Sequence, residues 1–131
     1  MPDQATLKQL LQIKRHKEQS LNRTLAKLAK QDLALSLEKE ETRTEHKQVK
    51  NDWQQSSRQE LLVDNRDVEM QKDKLDKYYQ KNLQCIDRLI TLENKRRDLK
   101  KLQQEQKTLH IKNIRSQEKL NDLLGNDDVY Y

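Results

Sequence analysis

The sequence predicts an all-α protein, two long antiparallel helices forming a coiled-coil hairpin. Three observations lead there. Leucines recur at alternating steps of three and four along both halves of the chain, which places them on one face of a helix. No proline or glycine lies between Pro2 and Gly125, so nothing in that span breaks a helix. Apolar residues make up only 32% of the 131 and charged residues 37%, against about 45–50% and about 25% in an ordinary globular domain. So few apolar side chains cannot fill a compact core, but they can fill the narrow seam between two helices.

The first arm is expected over residues 4–60. Asp3 suits the N-cap, with Pro2 just outside. Leu7, Leu10, Leu11 and Ile13 start a stripe that continues through Leu21, Leu25, Leu28 and Leu35. Leu7, Leu21, Leu28, Leu35 and Val49 share one heptad position, with Lys14 and Thr42 as exceptions, and Leu11, Leu25 and Trp53 share the second. After Leu37 the stripe thins, because Lys39 and His46 fall on the seam. The arm should be weakest there.

The turn is expected at 61–66. The stretch WQQSSRQELLVDN holds the only tryptophan and the triplet Leu61-Leu62-Val63. It ends in Asp64-Asn65, short polar residues that accept turn geometry and start helices. The second arm follows over 67–124. Val68, Leu75, Tyr79, Ile86 and Leu89 or Ile90 carry its first seam, and Leu92, Leu99, Leu102, Leu109, Leu120 and Leu123 continue it after a phase slip, with Lys95, Gln106, Asn113 and Ser116 also on it. Gly125 is the expected left-handed stop, leaving 125–131 as a loose acidic and aromatic tail.

Each arm would be roughly 80–90 Å long at the helical rise. One unbroken helix of roughly 180 Å, paired with a second chain, is the alternative. The turn residues favour the hairpin, a monomer by itself. Fold-back near Asp64 sets residue 14 opposite residue 115 and gathers Lys14, Arg15, Lys17, Lys112 and Arg115 at the end carrying both termini.

The composition excludes several chemistries. A phosphate-binding Walker loop, a dinucleotide fingerprint and a nucleophile elbow all need interior glycines, and this chain has one glycine in all. His16, His46 and His110 form no i, i+4 pair, and Cys85 has no ligand neighbour at metal spacing, so no metal or other cofactor is expected. A two-helix rod offers no pocket that shifts pKa values, so the chain is not read as an enzyme. The net charge of +5 is spread in alternating signs. Lys95-Arg96-Arg97 with Lys100-Lys101 is broken by Glu93 and Asp98, which argues for a solvated face and against nucleic acid. No apolar run follows Met1 that would serve as a signal peptide or membrane span, and a lone cysteine suits a reducing compartment, so a cytoplasmic location is expected.

These features together resemble the stalk proteins of the type III secretion export apparatus, the FliJ/YscO-type family. The resemblance is carried by the Phe-free Lys/Gln/Glu/Leu-rich chain, the basic start LKQLLQIKRHK, the tryptophan ahead of LLVDNRDVEMQ and the ending LLGNDDVYY. The short chain is more similar to the injectisome branch than to the flagellar one. The resemblance implies a cytoplasmic stalk at the inner-membrane secretion apparatus, with a hexameric export ATPase, a membrane export-gate protein and secretion chaperones as partners. Lys14, Arg15, Lys17, Lys112 and Arg115 would contact the ATPase. Trp53, Leu61, Leu62 and Val63 would contact the gate. A coiled-coil scaffold and a secretion chaperone or escort are the other readings.

Overall fold

The structure, a computed structural model, describes residues 3–60 and 68–129, with side chains over 3–58 and 68–125. It is all-α, with two helices, α1 (Gln4–Glu60) and α2 (Val68–Val129), packed against each other as an antiparallel hairpin. α1 begins where the sequence places it. The Asp3 carbonyl accepts the first helical bond, from the Leu7 amide at 3.0 Å, which makes Asp3 the capping residue. The expected turn at 61–66, including Leu61, Leu62 and Val63, lies outside the described residues.

The chain divides into two units. The first pairs the start of α1, through Asp32, with the end of α2, from Asp98. Its core is Leu7, Leu11, Leu21, Leu28 and Leu99, all buried. The second unit takes in the rest of both helices, from Leu33 to Arg97. Cys85 and Leu92 are its buried apolar residues, joined by Thr42 at 1% exposure. Both units are built on the same principle, a single row of inward positions per helix spaced alternately by three and four.

On α1 that row keeps the heptad positions read from the sequence, but Leu10 and Ile13, expected in the stripe, lie off the repeat and are 41% and 61% exposed. The row runs Leu7, Leu11, Lys14, Glu18, Leu21, Leu25, Leu28 in the first unit, and Leu35, Lys39, Thr42, His46, Val49, Trp53 in the second. On α2 the structure corrects the sequence reading. No phase slip occurs. The inward positions count off without a break as Leu75, Tyr78, Asn82, Cys85, Leu89, Leu92, Arg96 and then Leu99, Gln103, Gln106, His110, Asn113, Gln117, Leu120. Of the apolar residues expected in this seam, Leu75, Leu89, Leu92, Leu99 and Leu120 are in it. Val68, Tyr79, Ile86, Leu102, Leu109 and Leu123 are exposed instead, at 36% or more. A seam is set by the partner helix, which holds a steady 3.5-residue repeat. Polar residues that reach partners keep their place in it, and leucines off the repeat do not enter it.

Gly125 does not stop α2, which continues to Val129, and no described glycine has a positive φ. A left-handed stop is stabilised by an apolar contact from the second residue beyond the helix. Here that residue would be Asn126, which is polar. Without the contact, continued helical hydrogen bonding is the better solution.

Candidate functional site

The polar positions of the seam are held by specific bonds. In the first unit, Asn113 is 4% exposed, and its Nδ2 donates to the Lys14 carbonyl at 3.1 Å. Gln117 Nε2 donates to Glu18 Oε2 at 2.8 Å and lies 3.4 Å from the same Lys14 carbonyl. The two donors bracket position 115, so the start of α1 meets the end of α2 at the level the sequence implies. These amides sit where leucine would give more stability. What they add is register, because a slip of either helix would leave them unpaired. His110 shows the cost of incomplete pairing: its Nε2 is buried with no hydrogen-bond partner.

In the second unit polar side chains take the seam positions after Leu37. Thr42 turns its hydroxyl back to the Glu38 carbonyl at 2.8 Å, so its methyl packs inward while its polar atom is satisfied. His46 Nε2 and Asn82 Oδ1 are hydrogen-bonded at 2.6 Å across the seam. Lys39 runs its stem along the seam, with its side chain only 15% exposed, and delivers its ammonium to Glu93. That hydrogen bond, with the positive charge behind it, holds the Glu93 carboxyl below the usual carboxylate range. Arg88 bridges to Glu38 at 3.3 Å and to Glu45 at 3.8 Å on one flank.

Of the basic residues assigned to a ring contact, Arg15, Lys17, Lys112 and Arg115 are exposed on the first unit. Lys14 differs. It occupies a seam position, is half-buried, and offers its backbone carbonyl to Asn113 and Gln117. The exposed four therefore form the accessible charge, with Lys14 as part of the framework behind them.

Of the residues assigned to a gate contact, only Trp53 is described. It is half-buried and stacks on Tyr78, with ring centroids 4.7 Å apart and planes 17° from parallel. The stack fills one seam level with two aromatic rings, an arrangement worth about 0.5–1.5 kcal/mol beyond the area buried. Sequence reading chose Tyr79 for the seam and missed Tyr78. The signal that finds it is the strict count of threes and fours back from Cys85 through Asn82. A cleft beside the stack is lined by Lys74, Lys77, Lys81 and Asp52.

Cys85 is buried, and desolvation pushes its thiol above the ordinary value, with Glu45 adding to the rise and Arg88 opposing it. A buried thiol of this kind is a small apolar filler with little nucleophilic character. Among the described residues no three His, Cys, Asp or Glu side chains come together to hold a metal ion, and no helix is long and apolar enough to cross a membrane.

No family model, curated protein or solved structure matches the chain. In each unit the described residues present charged and apolar side chains in register along a two-helix seam.

Proposed function

We propose that this protein is the non-enzymatic central stalk of a bacterial type III secretion export-ATPase complex. The unit holding both chain ends contacts the hexameric ATPase, and the region of Trp53 and residues 61–63 contacts the membrane export gate. Secretion chaperones are further partners in this reading, and the site of action is the cytoplasmic face of the inner-membrane apparatus. The observation that supports it best is the make-up of the first unit. Buried amide bonds hold the start of α1 and the end of α2 in register, and Arg15, Lys17, Lys112 and Arg115 stand exposed around that core. A unit that presents these four exposed basic side chains suits an acidic pore, where such charges set association rate and register.

The test is reversal of the exposed charges, Arg15→Glu, Lys17→Glu, Lys112→Glu and Arg115→Glu together. Helicity should be unchanged, because all four side chains face water. Stimulation of the partner ATPase should fall, each lost contact weakening association by up to about fivefold at low salt and less at high salt. Lys14 is left intact, since its place in the seam would confuse stability with binding. Full stimulation by the reversed protein at low salt would end this reading in favour of a scaffold.

A further inference from the structure

The second unit carries an apolar stripe that its own fold does not cover. On α2, Tyr79, Leu83, Ile86 and Ile90 follow one another at steps of four, three and four, and they are 54%, 57%, 36% and 54% exposed. That spacing is a helix-packing repeat in its own right, parallel to the true seam and covering three turns, or about 16 Å. Stability of the hairpin does not require it, because Tyr78, Cys85, Leu89 and Leu92 already fill the adjacent seam positions. Four large apolar groups in one row also exceed the scattered exposure normal for a surface.

The borders of the stripe identify its occupant. With heptads lettered a to g and the seam at a and d, Arg88, Glu38 and Glu45 all fall at g, and their ion pairs mark the g flank. Tyr79 and Ile86 fall at e, so they lie on the opposite flank, beside the e and b positions of α1. Those positions are Glu40, Arg43, Lys47 and Lys50, all exposed, with Arg43 paired to Glu40 at 3.0 Å. Beyond the stripe, at c and f of α2, stand Gln80, Gln84, Asp87 and Thr91. One border is therefore net positive, with Lys47 and Lys50 left over once Glu40 and Arg43 pair, and the other is nearly neutral. A second copy of the chain fits poorly. An antiparallel two-fold arrangement would lay the two basic borders over each other, and a parallel one would set each against a nearly neutral border.

We propose that the stripe Tyr79–Leu83–Ile86–Ile90 is a docking surface for an amphipathic helix of another protein whose apolar face is edged by acidic residues. The four side chains supply the contact area, and Arg43, Lys47 and Lys50 select the partner and its orientation. The surface belongs to the second unit alone and does not depend on the stalk reading.

The experiment uses the whole chain and two synthetic helical peptides. Both carry leucines at the same four-three-four spacing, one flanked by Glu and the other by Lys, and binding is read by fluorescence anisotropy. The Glu-flanked peptide should bind in the micromolar range and the Lys-flanked one at least about tenfold more weakly. Leu83→Glu with Ile90→Glu should abolish binding while circular dichroism stays unchanged. Lys47→Glu with Lys50→Glu should reverse the preference between the peptides. Four results overturn the proposal: equal binding of the two peptides; binding that survives the stripe substitutions; a stripe-dependent dimer in sedimentation; or binding to anionic phospholipid vesicles with none to either peptide.

Discussion

Leu99 and Leu102 look equivalent in the sequence, three residues apart in one leucine run, and the structure separates them sharply. Leu99 is 7% exposed and Leu102 is 47% exposed. Truncating a buried leucine to alanine costs about 2–5 kcal/mol, and a seam only two helices wide can partly collapse, so about 2.5 kcal/mol is expected for Leu99→Ala. Leu102→Ala loses roughly half a leucine's burial and gains helix propensity, leaving about 0.5 kcal/mol. With an unfolding entropy of about 2.1 cal/mol/K per residue, the first substitution should lower the melting temperature by about 9 °C and the second by about 2 °C. Both residues belong to the first unit, so thermal and urea unfolding followed by circular dichroism compare them on equal terms. Equal losses, or a larger one for Leu102→Ala, would refute the unbroken seam and restore the phase slip.

Asn113→Leu should raise stability by about 1–2 kcal/mol, since a buried leucine replaces an amide. It should also loosen register, seen as higher oligomers in sedimentation; a less stable, strictly monomeric variant would count against the specificity role. Cys85 has a thiol raised by burial, so the stability it contributes is present below the unfolded thiol range and is lost as pH rises through the folded value. Alkylation by iodoacetamide at mildly alkaline pH should be slow in the native protein and fast in urea, and equal rates would contradict its burial. Glu93 has its carboxyl held low by Lys39, so its contribution is present above the usual carboxylate range and fades as pH falls through the depressed value. Glu93→Gln should lower the neutral plateau slightly and leave the melting temperature below the depressed value unchanged, so the acid limb flattens; an unchanged acid limb would remove that ion pair from the account.

The fold class was legible in the sequence because it depends on composition and period, which are properties of the chain itself. The absence of interior proline and glycine makes long helices, and the narrow apolar stripe leaves a two-helix seam as the only core. Most of α1 was legible, including Asp3 at its start and the polar seam positions Lys14, Lys39, Thr42 and His46, because most of its leucines fall on the true repeat; Leu10, Ile13 and Leu37 do not, and they are exposed. α2 was not, because there the leucines and the repeat diverge. Its apolar residues fall into two rows at helix-packing spacing, and a sequence offers no way to rank one above the other. The ranking came from the partner helix. Lys14, Glu18 and His46 on α1 match Asn113, Gln117 and Asn82 on α2, and burying those pairs together is cheaper than leaving their α1 members facing leucine. That choice put Tyr78 against Trp53 and turned Tyr79, Leu83, Ile86 and Ile90 outward. Periodicity decides that a helix has a face, and only its partner decides which face is inside.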